Sequence, residues 1–247
     1  MKRKNNRKKA ITLKDKKILI IGILLVGLLM IGVFITLMVQ PPVNHFTIGN
    51  GKNLKGIDVS NHQGKIDWQA LPHDKINYVF IKATEGTTYN DPFFKGNWQN
   101  ASEYNFLKGA YHFFTVGTSG ADQAKAFIAQ VPKEKNVLTP VIDLELIGEN
   151  REEIITEIRV FVNKIEEHYE VKPIFYINKN TFHTYVEGVF NDYMIWYADY
   201  ADEPALDESI WTFWQYTESG LIEGIKGPVD FNIFRGNKQD LESIIIQ

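Results

Sequence analysis

The chain has 247 residues, with 27 Lys and Arg against 30 Asp and Glu, and it contains no cysteine. The absence of cysteine excludes disulfide bonds, thiol catalysis and cysteine-rich metal sites, so the core alone must stabilise any folded domain. Nine of the basic residues and one acid lie in residues 1–17, which leaves 18 basic and 29 acidic residues elsewhere; this net charge of −11 excludes nucleic acid as a partner held by long-range attraction.

An uncharged apolar segment, residues 18–39, directly follows the basic residues. As a helix this segment would measure about 33 Å, which is enough to cross a hydrocarbon core of about 30 Å. A buried core helix would be amphipathic, and a signal peptide would have a shorter apolar region with a small-residue cleavage site, which residues 40–45 do not offer. We therefore predict a single-pass transmembrane helix with residues 1–17 in the cytoplasm and the rest of the chain outside.

The segment after this helix, residues 40–54, contains Pro41-Pro42 and two glycines. This composition predicts a linker, which reaches at most about 50 Å when fully extended. An extracellular domain is then predicted over residues 55–247, and it is large enough to bury a core without disulfide bonds.

In the predicted domain, short apolar runs alternate with segments of helical periodicity. Strands are predicted near Gly56–Val59, Tyr78–Ala83, Gly109–Phe114, Pro140–Glu145, Pro173–Ile177, Met194–Tyr197, Trp211–Gln215 and Val229–Ile233. Helices are predicted over Asn97–Asn105, Ala121–Gln130 and Arg151–Tyr169. Strands that alternate with helices indicate an α/β fold with a parallel sheet, and eight such strands indicate a closed barrel. The helical pattern fades after the fifth strand, so we expect helices to be missing from the second half of the barrel.

Two carboxylates end the fourth predicted strand, Pro140–Glu145. Because side chains alternate along a strand, Asp143 and Glu145 are predicted to point to the same side. Acids at the end of a buried strand are costly unless the site is polar or functional, and catalytic groups of barrels collect at the C-terminal ends of strands. Taken alone, the pair fits a salt-bridged strand end as well as a catalytic site, because a D-x-E pattern often arises by chance.

Two further acids lie in the first and last predicted strands, Asp58 and Asp230. Taken alone, Asp58 is better interpreted as a turn or helix-cap residue. In a closed barrel, however, the first and last strands are neighbours and the fourth lies across from them. The barrel therefore predicts that Asp58, Asp143, Glu145 and Asp230 converge at one mouth.

Aromatic residues cluster at the ends of several predicted strands, and they include Tyr111, Tyr176, Trp196 and Trp214. Individually, each of them is more often a core residue. Aromatic residues close to carboxylates are typical of a sugar-binding site, because aromatic rings pack on the C–H faces of pyranoses and Tyr and Trp also carry a polar tip. His112 is interpreted instead as a hydrogen-bonded core residue.

Six short motifs occur in one order over about residues 55–235. They are Gly56-Ile57-Asp58-Val59-Ser60, Phe80-Ile81-Lys82-Ala83-Thr84-Glu85-Gly86, Gly109-Ala110-Tyr111-His112-Phe113, Asp143-Leu144-Glu145, Trp214-Gln215-Tyr216 and Val229-Asp230-Phe231-Asn232. Together they resemble glycoside hydrolase family 25, the lysozymes of the Chalaropsis type. The resemblance implies a (β/α)5(β)3 barrel that cleaves the β-1,4 bond between N-acetylmuramic acid and N-acetylglucosamine in peptidoglycan.

The resemblance also implies roles for the acids in glycoside cleavage. Glu145 is expected to be the general acid, with its pKa raised by repulsion from Asp143 and other nearby carboxylates. Asp143 is expected to orient the substrate's own N-acetyl group as it attacks the anomeric carbon or, in a rival mechanism, to attack that carbon itself. Asp58 and Asp230 are expected to support these two acids. Substrate contacts are expected from Glu85, Tyr111, Tyr176, Trp196 and Trp214.

No cofactor or metal is implied, since the six His residues include no H-x-x-x-H pair and no carboxylate–His spacing typical of a metal site. Two alternatives stay open: a non-catalytic glycan-binding or scaffold protein on the same barrel, and a chitinase-like glycosidase. With the anchor, the lysozyme interpretation predicts wall remodelling close to the cell membrane of a Gram-positive bacterium. Such remodelling would serve growth, or a wall-spanning secretion or conjugation apparatus.

Overall fold

The computed structural model describes residues 54–146 and 150–247. The predicted transmembrane segment 18–39, the basic tail and nearly all of the predicted linker lie outside the described residues. Within the two described ranges, none of the helices has the length and apolar character needed to cross a membrane.

Eight strands form a closed barrel, as the strand pattern predicts. They are β1 (Leu54–Val59), β2 (Tyr78–Glu85), β4 (Leu107–Phe113), β5 (Val141–Leu144), β6 (Ile174–Asn178), β7 (Ile195–Ala198), β8 (Phe213–Gly220) and β9 (Val229–Phe234). Each pairs with the next, and β1 pairs with both β2 and β9, which closes the sheet. The short strand β3 (Tyr89–Asn90) lies outside this ring and forms a hairpin on the end of β2.

In the part of the chain that the structure describes, three helices longer than two turns pack around the barrel: α1 (Phe94–Glu103), α2 (Gly120–Gln130) and α3 (Arg151–Tyr169). Helix α3 has the predicted bounds, because the Asn150 side chain accepts a hydrogen bond from the Glu153 amide at its start and Glu170 adopts a left-handed φ of 63° at its end. Helix α1 begins three residues before the predicted start and ends at Glu103, two residues before the predicted end. Asn105, which follows the helix, has a φ of 58°.

The second half of the barrel has few helices, as expected from the fading pattern. A short helix α4 (Lys179–Thr181) continues into a π-helical turn after β6, and a short helix α5 (Lys238–Glu242) follows β9. The connection from β1 to β2 differs from the formula (β/α)5(β)3, since its described helical element is the 3-10 turn Asn61–Gln63.

The last strand corrects the expectation of a parallel sheet. Strand β9 runs antiparallel to both β8 and β1, whereas the other barrel strands pair in parallel. The connection 221–228 explains this direction, because a parallel crossover needs about a dozen residues or more and a hairpin needs only a few.

The barrel separates two apolar clusters. Tyr78 and Phe80 belong to the interior cluster, while Val79 and Ile81 on the same strand pack in the shell between the sheet and the helices. The C-terminal segment closes the bottom of the barrel: Leu241 joins the interior cluster and the Ile246 amide donates to the Val137 carbonyl over 2.8 Å. The polar residues of the interior therefore collect at the other end, the C-terminal mouth of the parallel strands.

Candidate active site

A cavity of about 410 Å³ opens at the C-terminal mouth of the barrel. It is lined by Asp58, His62, Lys82, Tyr111, Phe113, Asp143, Glu145, Tyr176, Trp196, Tyr200, Gln215, Glu218 and Asp230. All four acids predicted to converge are among these residues. The lining is mainly polar and aromatic, a composition that suits a ligand with hydroxyl groups and apolar ring faces.

Asp143 and Glu145 reach the cavity from the end of β5, two residues apart and on the same side. Asp143 is 7% exposed, whereas Glu145 is exposed at the rim. The Asp143 Oδ1 atom is buried without a hydrogen-bond partner among the described residues. A buried acceptor of this kind normally has a partner, so the cavity presents an oxygen that is ready to accept a hydrogen bond from a ligand.

Asp58 and Asp230 are register partners across the β1–β9 pairing. Asp230 is the second residue of β9, so an all-parallel barrel would place it at the bottom, and the antiparallel direction of β9 brings it to the mouth. Two amides hold Asp58 in place: its Oδ2 accepts hydrogen bonds from Gln215 Nε2 at 3.0 Å and from Asn232 Nδ2 at 2.8 Å. These amides make a nearly buried carboxyl tolerable.

The Asp58–Asp230 pair holds a proton more tightly than free carboxyl groups would. Burial first, and then the charge of Asp230, raise the pKa of Asp58 well above its usual value, although the amides of Asn232 and Gln215 oppose this. Burial raises the pKa of Asp230 to about 6, and the hydrogen bond with Asp58 limits that rise. Both carboxyls therefore keep their protons to a higher pH than a free aspartate does, and a protonated carboxyl can donate as well as accept hydrogen bonds.

The β5 acids also have raised pKa values, but the causes differ from those expected. Burial and then the charge of Glu145 raise the pKa of Asp143 well above its usual value, and Lys82 lowers it. For Glu145, burial raises the pKa, Lys82 opposes this, and Glu218 adds repulsion. Repulsion between carboxylates therefore contributes, as expected, but after burial: Asp143 and Glu145 repel each other, and Glu218 is a further nearby carboxylate that acts on Glu145.

Three of the predicted aromatic contacts line the cavity: Tyr111, Tyr176 and Trp196. The Tyr176 hydroxyl donates to Gln215 Oε1 at 2.8 Å, and Trp196 Nε1 donates to Asn232 Oδ1 at 2.8 Å. Because the same two amides also donate to Asp58, these aromatic rings and that acid belong to one hydrogen-bond network.

Trp214 and Glu85 do not line the cavity. Trp214 is fully buried in the shell between sheet and helices, where its Nε1 donates to the Asp199 carbonyl at 2.6 Å. Its neighbour Gln215 lines the cavity instead, because successive residues of β8 point to opposite faces of the sheet. The Glu85 carboxylate contacts Lys82 Nζ at 2.7 Å, and Lys82 is the one of the two that lines the cavity.

Sequence reasoning missed six lining residues: His62, Lys82, Phe113, Tyr200, Gln215 and Glu218. Lys82 gave a usable signal, since a charged residue interrupts an apolar strand there just as Asp58 does in β1. The expectation for His112 agrees with its position: it lies in the shell, its ring nitrogens contact Thr84 and Gln123, and burial lowers its pKa to about 4.

Comparisons with known proteins agree on one family. A family model described as "Glycosyl hydrolases family 25" matches residues 57–225. Lysozyme M1 of Streptomyces globisporus is 30% identical over 77% of this chain and 71% of its own length. A family 25 glycosyl hydrolase from Bacillus anthracis has a similar structure, with a TM-score of 0.76, 36% identity and coverage of 83% of this chain and 99% of that one. The bacterial lysozyme from Streptomyces coelicolor has a TM-score of 0.71 and 28% identity, with coverage of 79% and 98%.

Proposed function

Because the chain belongs to glycosyl hydrolases family 25, we propose that it is a lysozyme that cleaves the β-1,4 bond between N-acetylmuramic acid and N-acetylglucosamine in peptidoglycan. The chain is a glycoside hydrolase, and two proteins similar to it are named lysozymes. The observation that carries the proposal is the convergence of Asp58, Asp143, Glu145 and Asp230 in one cavity with aromatic walls. A protein that only bound glycans would not need four convergent acids.

Glu145 has the properties of a general acid. It lies at the rim, where a glycosidic oxygen would enter, and its pKa is raised, so it keeps its proton to a higher pH than a free glutamate. Protonation of the leaving oxygen is the step that glycoside cleavage requires from such an acid. On loss of this proton, Lys82 would stabilise the new carboxylate, because it is the cation that lowers the pKa of Glu145.

Asp143 would act on the acetamido group of the substrate. Its unpartnered Oδ1 would accept a hydrogen bond from the acetamido N–H, and that bond would favour the ionised carboxylate. The carbonyl oxygen of the same acetamido group would then attack the anomeric carbon as the bond to the leaving oxygen breaks, and water would later open the intermediate. In the rival mechanism Asp143 attacks the anomeric carbon directly and forms an ester.

Product analysis tests the bond that is cut. The full-length protein in detergent would be incubated with purified peptidoglycan, and the reduced fragments would be analysed by mass spectrometry. We expect fragments with muramic acid at the reducing end. Fragments that end in N-acetylglucosamine would instead indicate a chitinase-like glycosidase, and a folded protein that binds the wall without releasing fragments would be a glycan-binding protein.

We further propose that residues 18–39 anchor the enzyme in the cell membrane, so that it acts on wall close to the membrane during growth or beside a secretion or conjugation apparatus. The support is the 22-residue uncharged segment after nine basic residues. Tethering raises the local concentration of an enzyme that its net charge would not hold on anionic wall polymers. Membrane fractionation tests the anchor: the full chain should stay in the membrane after carbonate extraction, and a chain without residues 1–39 should not.

A further inference from the structure

One cation faces five carboxyl groups across the cavity. Among the described residues that line it, Lys82 is the only Lys or Arg. The five acids are Asp58, Asp143, Glu145, Glu218 and Asp230. Lys82 is 8% exposed, and a lysine is seldom buried to this extent unless its charge is compensated.

A bulge in β2 gives Lys82 its partner. In a regular strand, residues three apart point to opposite faces, so Lys82 and Glu85 would not meet. The β2–β4 register, however, shifts between Lys82 and Thr84: Lys82 pairs with Tyr111, and Thr84 already pairs with His112. This extra residue reverses the alternation, and Lys82 Nζ contacts Glu85 Oε2 at 2.7 Å.

Aromatic rings hold the ammonium group from two further directions. Lys82 Nζ lies 4.9 Å from the ring centroid of Phe113 and 5.6 Å from that of Tyr89. Tyr89 is on β3, and the hairpin that carries it turns at Gly86, whose φ of 53° suits glycine. The Tyr89 hydroxyl donates to Asn61 Oδ1 at 3.1 Å, which fixes the ring from the β1 side. Glu85, Phe113 and Tyr89 therefore fix the position of the charge.

The two acid pairs of the cavity differ in what compensates them. The Asp58–Asp230 pair is held by the amides of Gln215 and Asn232. Asp143 and Glu145 have no such amide among the described residues, and the cation that acts on both is Lys82. Further titratable groups near Lys82 are Glu85 on its own strand, Tyr89 on β3, and Tyr111 and His112 on β4; burial keeps His112 neutral near pH 7.

We propose that Lys82 is a positioning residue of the active site: held by Glu85, Phe113 and Tyr89, its ammonium group is the counter-ion for one negative charge shared by Asp143 and Glu145. This inference rests on the proposed hydrolase function. When Asp143 and Glu145 together carry one negative charge, they also hold one proton, which is the proton that the general acid needs. A donor from the substrate at Asp143 Oδ1 would then place the charge on Asp143 and the proton on Glu145.

Carboxyl titration tests the proposal without substrate. The full-length protein in detergent micelles would carry 13C-labelled Asp and Glu, and the two resonances would be assigned by their loss in Asp143→Asn and Glu145→Gln. In Lys82→Gln, which can still donate to Glu85, we expect the first macroscopic pKa of the two acids to rise by about one unit, since a nearby positive charge is lost. Lys82→Arg keeps the charge and should restore most of the shift.

Lys108→Gln is the matched control. Lys108 is also a buried lysine on a neighbouring strand, but its Nζ contacts the Trp98 carbonyl and Glu134 in the shell, so its loss should leave the titration of Asp143 and Glu145 unchanged. An unchanged titration in folded Lys82→Gln would overturn the proposal; if that variant does not fold, Lys82→Met takes its place under the same criterion. Because no hydrolysis is measured, failure of this proposal is distinct from failure of the proposed function.

The pH profile of hydrolysis provides a second test of the role of Lys82. The acidic limb of kcat/KM follows ionisation of the two acids, so Lys82→Gln should move that limb up by about one pH unit, whereas a merely structural loss would lower the whole profile without shifting it.

Discussion

Asp58 and Asp230 face each other across the β1–β9 pairing, the antiparallel contact through which the barrel closes. Their proximity depends on the direction of β9, because Asp230 lies at the start of that strand. The result is a pair of carboxyls with raised pKa values, Asp58 buried and Asp230 half-buried, beside the β5 acids. The strand pairing that closes the barrel therefore also brings Asp58 and Asp230 together at the cavity.

This pair predicts a loss of stability with rising pH. Folding raises the pKa of Asp230 from 3.8 to about 6, so its stabilising contribution is complete below about pH 4 and is lost as the pH rises through about 6. The pKa of Asp58 is raised in the same direction, so its contribution is also lost as the pH rises. For Asp230 the contribution is at most about 3 kcal/mol. Urea unfolding between pH 4 and pH 8 measures it. In Asp230→Asn this part of the decline should disappear, and an identical decline in the variant would contradict the assignment.

Two tryptophans of neighbouring strands should respond differently to the same substitution. Trp196 lines the cavity and Trp214 is buried in the shell. Trp214→Phe removes the bond to the Asp199 carbonyl, so we expect a loss of about 1–2 kcal/mol in the free energy of unfolding and an unchanged KM. Trp196→Phe should raise KM for peptidoglycan fragments. Denaturation and steady-state kinetics on both variants make the comparison, and a raised KM in Trp214→Phe alone would contradict the placement.

The proposed role of Asp143 predicts that no covalent intermediate forms on it. Rapid quenching during turnover, followed by mass spectrometry of the peptide that contains Asp143, should show the unmodified mass. Asp143→Asn keeps an acceptor oxygen but not the charge, and we expect kcat to fall by about 100-fold, as for the loss of one electrostatic stabiliser of a transition state. A glycosyl ester on Asp143 would establish the rival mechanism instead.

Much of this site followed from the sequence because strand periodicity carries directional information. The period of two places Asp143 and Glu145 on one side, and the eight strand signals are strong enough to predict a closed barrel. The sequence did not show which side chains of β8 face the cavity. Trp214 and Gln215 are adjacent, so a shift of one residue in the predicted register exchanges the residue that faces the cavity and the one that faces the shell. The aromatic residue was the more conspicuous candidate for a sugar contact, yet the amide is the one that faces the cavity.

The contact between Lys82 and Glu85 was beyond sequence reasoning for a related reason. A spacing of three residues in a strand predicts opposite faces, and the bulge that reverses this depends on the pairing with β4. Likewise, the sequence predicted that Asp230 would lie at the mouth of a barrel of parallel strands. Asp230 does lie there, but because it is near the start of β9 and β9 is antiparallel to its neighbours.

If Glu145 is the general acid of a peptidoglycan hydrolase, its replacement by Gln should slow the release of fragments from peptidoglycan. Glu103→Gln serves as the control, since Glu103 is an exposed acid at the end of α1, away from the cavity. We predict that Glu145→Gln lowers kcat by about 100- to 10,000-fold while the protein stays folded, and that Glu103→Gln keeps the wild-type rate. A folded Glu145→Gln protein that releases fragments at the wild-type rate would show that Glu145 is not the general acid.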